Sequence, residues 1–207
     1  MLLFGLFIIF NNGVAMGDKE AQHIAINTGN SFFFMFCFLM LLLPNIVFYR
    51  GKYRQIIVKP FTHFRREPVS SVLPWAVTIL FVILFWFSYD VVHPYNSWMS
   101  YLHNILANSP LNSFWIKVMW VVAIGFTIMS MFIMPLSRQS AWLLYPISWL
   151  LLLLHPLIEH RYYIPVFSLL LMFRAPLSKK QEWFQFGYFV CLSSVILLLH
   201  FGFGLKP

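Results

Sequence analysis

Long apolar runs separated by short polar segments constrain this chain more than any other feature of its sequence. The run "SFFFMFCFLMLLL", which begins at Ser31, contains no charged residue, and several comparable runs follow it. A helix needs about 20 such residues to cross the hydrocarbon core of a bilayer. Only 10% of the residues are charged, against roughly 25% in a soluble domain, so the chain is predicted to be a membrane protein.

Membrane-spanning helices are predicted from these runs, and they define an all-α, polytopic fold with a single transmembrane domain over residues 1–207. The fifth span is short and is expected to be tilted or to reach half the depth of the bilayer. Residues 1–10 are too short to cross alone, so the fold has about six to seven transmembrane helices. The six predicted spans are residues 31–48, 72–91, 113–135, 141–157, 162–173 and 185–203.

The distribution of basic residues predicts the orientation of these spans. Of the fourteen Lys and Arg residues, six lie in residues 50–67, one lies in "SRQS" and three lie in "RAPLSKK". With the spans as predicted, all of these lie on one side, which the positive-inside rule places in the cytoplasm. The N-terminus is then cytoplasmic and the C-terminus is not. The basic loop is more simply explained by contact with lipid headgroups than by nucleic acid, so no nucleic-acid partner is expected.

The opposite side receives the polar segments "NNGVAMGDKEAQH", "YDVVHPYNSWMSYLHN" and "HPLIEHRYY". Ionisable groups near the membrane interior are costly, so they tend to face protein or water and often mark a functional site. A site is therefore predicted at this non-cytoplasmic mouth. The segments contain the acids Asp18, Glu20, Asp90 and Glu159 and the histidines His23, His93, His103, His155 and His160.

Two of these segments have the chemistry to bind an anion. In "GDK", Asp18 would orient Lys19, whose ammonium group suits a phosphate as a compact point charge. In "EHRYY", Arg161 offers a planar fork for phosphate or carboxylate, Glu159 would hold that fork or act as an acid or base, and Tyr162 would stack on a sugar. The structural alternatives are an ordinary polar turn for the first segment and an internal Glu–Arg pair with interfacial tyrosines for the second.

The sequence predicts no metal site and no cofactor. Cys37 and Cys191 both lie inside apolar runs, where a free cysteine packs as a small hydrophobe. No zinc, P-loop, dinucleotide or EF-hand spacing is found along the chain.

Two segments resemble motifs of one known family. "FIIFNNGVAMGDKEAQH" resembles the Asn-x-Gly-x-x-x-Gly-Asp-Lys/Arg-x-x-His segment of the dolichyl-phosphate-glucose alpha-1,2-glucosyltransferases, and "LLLHPLIEHRYYIPVFSLLLMFR" resembles their late Leu-x-Glu-x-Arg-Tyr-Phe motif. These enzymes of the endoplasmic reticulum add the last glucose to the lipid-linked oligosaccharide for protein N-glycosylation. The matching positions are Asn12, Gly13, Gly17, Asp18 and Lys19 in the first motif and Glu159, Arg161, Tyr162 and Pro165 in the second.

The resemblance implies an architecture like the C-terminal half of a GT-C type glycosyltransferase, with both motifs on the lumenal side of a multi-pass endoplasmic reticulum membrane protein. Its implied partners are the bilayer, dolichyl-phosphate-glucose and the lipid-linked oligosaccharide. The implied substrate-binding residues are Asp18, Lys19, His23, Glu159, Arg161 and Tyr162.

Three departures from the family pattern shape the functional prediction. His23 lies one residue later than the family histidine, and the loop after "HPY" reads "NSWMSYLHN" in place of a polar Asp-Asn-Arg-His core. The family is also about twice as long, and its N-terminal half supplies the catalytic carboxylate. Catalytic residues are therefore left unassigned, and this chain alone is expected to be inactive. Four explanations stay open: a fragment, an alternative product, a divergent short homologue, or one partner of a split enzyme whose other partner is the missing N-terminal half.

Two alternatives stay open from the sequence. One is a non-catalytic membrane subunit or an inactive remnant of the same family. The other is a small transporter, although no internal repeat of the kind common in transporters is found.

Overall fold

The structure is a computed structural model that describes residues 26–62, 68–98, 100–155, 157–159 and 162–203. Within those ranges the chain is helical and has no strand, which confirms the all-α prediction. Two short 3-10 helices, Pro94–Ser97 and Gln139–Leu143, lie between the longer elements. The α-helices are α1 (Thr28–Phe48), α2 (Arg50–Thr62), α3 (Pro68–Ser88), α4 (Leu102–Asn112), α5 (Phe114–Ile133), α6 (Leu144–Leu153), α7 (Tyr163–Phe173) and α8 (Lys179–Phe203).

The predicted membrane spans are all found as apolar helices. Helices α1 and α5, together with Lys179–Leu199 of α8, are long and apolar enough to cross a bilayer. Shorter apolar helices occupy the other three predicted spans, at Val72–Ser88, Gln139–Leu153 and Tyr163–Phe173. The short fifth span is confirmed as a helix of 11 residues, about 16 Å long, which is near half the thickness of the hydrocarbon core. The chain is therefore an all-α, polytopic membrane protein.

Two predicted spans end earlier than their apolar length suggested, because their last carbonyls bond to another helix. The span predicted to reach residue 91 ends at Ser88, whose carbonyl accepts a hydrogen bond from the Thr28 hydroxyl. The span predicted to reach residue 157 ends at Leu153, whose carbonyl accepts from the backbone N–H of Asn27 at 2.8 Å. Proline at position 156 also disfavours a longer helix.

The last helix begins at Lys179, six residues before the predicted start at residue 185. The reason is a capping box in "SKKQ". The Gln181 carboxamide oxygen accepts from the Ser178 backbone N–H at 3.1 Å, and the Ser178 hydroxyl oxygen accepts from the Gln181 backbone N–H at 3.4 Å. Polar capping thus starts a helix that hydrophobicity alone places too late.

Helices α2 and α4 lie in segments that the sequence analysis treated as loops. Each is held by contacts with longer helices. On α2, the Tyr53 hydroxyl lies 2.6 Å from the Ser130 hydroxyl of α5. On α4, Ala107 is fully buried and its carbonyl accepts from the Tyr89 hydroxyl. Packing against the bundle, rather than an apolar run, explains both helices.

Helix α1 forms the centre of the bundle, and it packs chiefly against α5 and α6. Its "FFF" run is buried rather than exposed to lipid. The Phe32 ring meets Phe85 of α3 edge-on with centroids 5.3 Å apart, and the Phe34 ring stacks on Phe167 of α7 at the same separation. Aromatic packing therefore supplies much of the core.

Prolines inside the helices leave carbonyls that side chains from other turns satisfy. Pro44 has no backbone N–H, so the Met40 carbonyl four residues earlier has no helical donor. The Tyr188 hydroxyl of α8 donates to that carbonyl at 2.7 Å and so joins α8 to α1. Two more carbonyls are filled in the same way: Ile56, four residues before Pro60, accepts from Trp75 Nε1, and Leu106, four residues before Pro110, accepts from the Ser109 hydroxyl.

The helices bring polar segments together at two opposite ends of the bundle. At what we call the Arg174 end, α5 and α7 both finish, and the Ser137 N–H donates to the Phe173 carbonyl at 2.8 Å. Arg174 lies beside Tyr49 at the end of α1 and pairs with Glu182 at 3.2 Å. Segments that were predicted to share the basic side therefore lie at one end. The other end, where α1 begins, is called the Asn30 end.

Candidate functional site

The Asn30 end is built from the start of α1, where the sequence reads "NTGNS". Asn27 is the N-cap, and its side-chain oxygen accepts from the Asn30 backbone N–H at 3.2 Å. Gly29 then approaches the end of α3, where its N–H donates to the Asp90 carbonyl at 2.9 Å. A Cβ atom at Gly29 would lie 2.4 Å from that carbonyl oxygen, so only glycine permits this approach.

Asn30 is a buried hub that joins three helices. Its Nδ2 donates to the carbonyls of Leu152 at 2.9 Å and His155 at 3.1 Å, and its Oδ1 accepts from the Tyr163 hydroxyl at the start of α7. The Leu152 carbonyl, one of the last in α6, also accepts from the His155 backbone N–H at 3.2 Å. One amide therefore fixes where α1, α6 and α7 meet.

A second set of asparagines ties the α3–α4 connection to the same end. Asn96 is buried in the 3-10 helix, and its Oδ1 accepts from the Ile158 N–H at 3.0 Å. Its carbonyl accepts from Asn108 Nδ2 at 2.7 Å. Asn104 Nδ2 donates to the Tyr95 carbonyl at 2.8 Å. The segment before α7, which contains the second motif, is thus hydrogen-bonded to the α3–α4 connection, the longest one in the described part of the chain.

Glu159 and His155 both contact Tyr162, the residue before α7. The Tyr162 N–H donates to the Glu159 carbonyl at 3.1 Å. The His155 ring lies 3.9 Å from the Tyr162 ring, centroid to centroid, at a tilt of 43°. Glu159 is only partly buried, so a carboxylate and a phenol are presented together at this end of the bundle.

Tyr89, the residue after α3, contributes a buried hydrogen bond at the Asn30 end. Burial raises the pKa of its phenol above the usual range, and the neighbouring Asp90 carboxylate raises the pKa further. The phenol therefore stays protonated and remains a donor to the Ala107 carbonyl.

Only part of the predicted site falls within the described residues. Asp18, Lys19, His23 and Arg161 lie outside them, as do Asn12, Gly13 and Gly17 of the first motif, so their roles stay predictions. Pro165 lies in the first turn of α7, where proline is tolerated. The residues that follow the first motif, Asn27 and Asn30, contact the carbonyls that precede the second motif.

The sequence analysis missed the asparagines that organise this end. Asn27 and Asn30 precede an apolar run, which is a signal for helix capping. Capping preference alone would have suggested Asn27, but the bonds from Asn30 to α6 and α7 span more than 120 residues of sequence. No local pattern reveals such a contact. In the described part of the chain, no group of three His, Cys, Asp or Glu residues is placed to hold a metal ion.

Comparison with known protein families decides the identity. The model of the DIE2/ALG10 family matches residues 1–172, a range that includes both motifs and the helices between them. The chain belongs to the DIE2/ALG10 family. This is the dolichyl-phosphate-glucose alpha-1,2-glucosyltransferase family, so the resemblance is confirmed. Membership supports a glycosyltransferase of lipid-linked oligosaccharide synthesis. No curated protein and no solved structure matches the chain.

Proposed function

We propose that this chain is an alpha-1,2-glucosyltransferase, or the C-terminal portion of one, of the endoplasmic reticulum membrane. The complete enzyme would use dolichyl-phosphate-glucose to add the terminal glucose to the lipid-linked oligosaccharide at the lumenal face. The match to the DIE2/ALG10 family across both motifs carries this proposal. The hydrogen bonds from Asn27 and Asn30 to the α6 carbonyls support it, because they hold the chain after the first motif against the chain before the second.

The donor's chemistry explains the choice of residues. Its leaving group is a lipid phosphate, which needs cationic partners at headgroup depth. Lys19 supplies a compact charge, and Arg161 supplies a fork with two parallel donors. Glu159 stands two residues before Arg161 and is partly exposed, so it serves to hold the fork. Asp18, His23 and Tyr162 complete the proposed substrate-binding set.

The proposed reaction also needs a base. An inverting transfer requires a carboxylate near the acceptor hydroxyl. We assign none, and we expect the purified 207-residue chain to bind donor without turning it over. Turnover by this chain would make Asp18 and Glu159 the first candidates, to be tested as Asp18→Asn and Glu159→Gln.

Binding of a polyprenyl-phosphate glucose to detergent-solubilised variants tests the proposal. Arg161→Lys keeps the positive charge but loses the two parallel donors of the guanidinium group, and Arg161→Ala loses both the charge and the donors. A hydrogen bond to a charged group contributes about 1.5–3 kcal/mol, so Arg161→Ala should weaken binding by roughly tenfold to a hundredfold, and Arg161→Lys by less. The matched control is Arg138→Lys, because Arg138 is exposed near the Arg174 end.

A thermal-stability assay on the same variants separates binding from structure. Lowered stability with unchanged donor affinity would contradict the proposal, because it would make Arg161 the partner of a structural ion pair. Affinity that falls equally in Arg138→Lys would also count against a specific site.

A further inference from the structure

A pocket of about 200 Å³ lies between α2, α3 and α5. Val122 and Phe126 on its rim are 54% and 43% exposed, so the pocket opens to the outside of the bundle. Asn30 and Glu159 are not part of its lining, so it is separate from the candidate site. The lining includes Ile57 of α2, Trp75 and Thr78 of α3, and Gly125 and Met129 of α5.

The pocket presents only hydrocarbon surface to an occupant. Three side chains of its lining carry an N–H or O–H group, and each of these groups already bonds within the protein. The Tyr53 hydroxyl lies 2.6 Å from the Ser130 hydroxyl, Trp75 Nε1 donates to the Ile56 carbonyl at 3.2 Å, and the Thr78 hydroxyl donates to the Pro74 carbonyl at 2.7 Å. Apolar cavities of about 150 Å³ stay dry and take apolar molecules. In a membrane, the apolar molecule at hand is a lipid tail.

Two arginines of α2 stand beside this pocket. Arg50, Arg54 and Ile57 follow one another at spacings of four and three residues, so they lie along one face of the helix. Ile57 lines the pocket, and both arginines are exposed. Neither arginine has an acidic partner among the described residues, where the ion pair is Arg174 with Glu182. The two guanidinium groups are therefore open to an anion next to an apolar pocket.

The depth of the pocket suits a tail whose headgroup lies at α2. Arg50 stands two residues past the end of the membrane span Thr28–Phe48, at the Arg174 end. Along α5, which finishes at the same end, the lining runs from Met129 back to Val122, seven residues or about 10 Å deeper. The basic residues predict that this end faces the cytoplasm, and the cytoplasmic leaflet carries the anionic lipids.

We propose that this site binds an anionic glycerophospholipid, with the phosphate held by Arg50 and Arg54 and one acyl chain in the pocket. General contact between basic residues and headgroups needs no pocket, whereas this site joins two cations to a place for the tail. The proposal does not depend on the function proposed above, because neither motif takes part in it.

Photolabelling in vesicles tests the site. The chain is placed in phosphatidylcholine vesicles with a trace of phosphatidylserine that carries a diazirine in one acyl chain, and labelled peptides are mapped by mass spectrometry. A phosphatidylcholine probe with the same acyl chain gives the comparison. Because each basic residue favours an anionic lipid, we expect the serine probe to label residues 122–129 about tenfold more strongly than the choline probe. The peptide around Leu198, which is 69% exposed on α8, reports bulk lipid and should show no such preference.

Charge variants locate the headgroup. Arg50→Gln with Arg54→Gln should bring labelling of residues 122–129 by the serine probe down to the level of the choline probe. The matched control is Lys179→Gln with Lys180→Gln, which removes two exposed charges at the same end of the bundle, on α8. This control should leave the labelling of residues 122–129 unchanged. All four side chains are exposed, so neither double variant disturbs the core.

Pocket variants locate the tail. A Cβ atom at Gly125 would lie 3.6 Å from Thr78 Cγ2, an ordinary contact, so the rest of a leucine side chain would extend into the pocket. Gly125→Leu should therefore lower labelling of residues 122–129 by both probes. Gly187→Leu is the control, because nothing lies within 4 Å of a Cβ atom at Gly187. If Gly125→Leu fails to fold, Val122→Trp fills the pocket from its exposed rim and should have the same effect.

Three results would overturn the proposal: equal labelling of residues 122–129 by the two probes, an equal loss in the two double variants, or unchanged labelling with the pocket filled. Unlabelled polyprenyl phosphate is added as a competitor, because it also joins an anion to a hydrocarbon tail. We expect phosphatidylserine to displace the serine probe more effectively. Stronger displacement by polyprenyl phosphate would contradict the assignment of a glycerophospholipid.

Discussion

At the scale of single residues, Asn30 should be among the most sensitive positions of the chain. Asn30→Ala removes the donor to the Leu152 and His155 carbonyls and leaves the buried Tyr163 hydroxyl only a long bond of 3.4 Å to the backbone carbonyl of residue 30. Since each unsatisfied buried group costs about 1–3 kcal/mol, we expect a loss of about 2–4 kcal/mol in the free energy of unfolding. Tyr163→Phe removes only one of these bonds and should cost less.

A double-mutant cycle of these two substitutions tests the hub directly. Unfolding of the two single variants and the double variant is measured in the same detergent. A coupling energy of about 0.5–3 kcal/mol is expected for residues in contact. Strictly additive effects would mean that the Asn30–Tyr163 bond contributes nothing to stability.

Gly29 provides a second residue-scale prediction. A methyl group at Gly29 would collide with the Asp90 carbonyl, which belongs to the backbone, so α1 and α3 must separate. Gly29→Ala is therefore expected to destabilise the protein by about 1–3 kcal/mol. Gly187→Ala is the matched control, because nothing lies within 4 Å of a Cβ at Gly187 and alanine favours the helix. Melting temperatures that fall equally for both variants would refute the steric explanation.

At the scale of elements, the docking of α8 depends on the proline in α1. Tyr188→Phe leaves the Met40 carbonyl without a donor and should lower stability by about 1 kcal/mol. Pro44→Ala restores a backbone N–H for that carbonyl, so Tyr188→Phe should cost less in the Pro44→Ala background. Thermal unfolding of the four proteins gives the comparison. The same cost in both backgrounds would show that Tyr188 acts through packing alone.

The helices also show how much of the fold could be predicted from the sequence. The lengths of the apolar runs were enough to predict the six apolar helices. The predicted topology was enough to place the segments of Arg138 and Arg174 at the same end of the bundle. Helix α2 was missed because its residues are largely polar, and its order comes from Tyr53 and Trp75 contacts with neighbouring helices. In the candidate site, Glu159 and Tyr162 were predicted from a local motif, and their role stays a prediction. Asn30 was not, because its partners are distant in sequence.

At the scale of the whole molecule, the two ends of the bundle differ in character. The Arg174 end joins the segments after α5 and α7, which the topology prediction places with ten of the fourteen basic residues on one side of the membrane. The Asn30 end joins the segment after the first motif to the segment around the second. Our account of function requires these ends to lie on opposite sides of the membrane, with the Asn30 end facing away from the cytoplasm.

Cysteine labelling across the membrane tests that requirement most directly. Single cysteines replace Thr62 at the end of α2 or Ser97 in the 3-10 helix, in a chain whose Cys37 and Cys191 are changed to alanine. The reagent is a membrane-impermeant maleimide applied to sealed vesicles with the cytoplasmic face outward. We predict labelling of Thr62→Cys in intact vesicles and of Ser97→Cys only after permeabilisation. Equal labelling of both positions in intact vesicles would contradict the account, because the two ends would then share one side of the membrane.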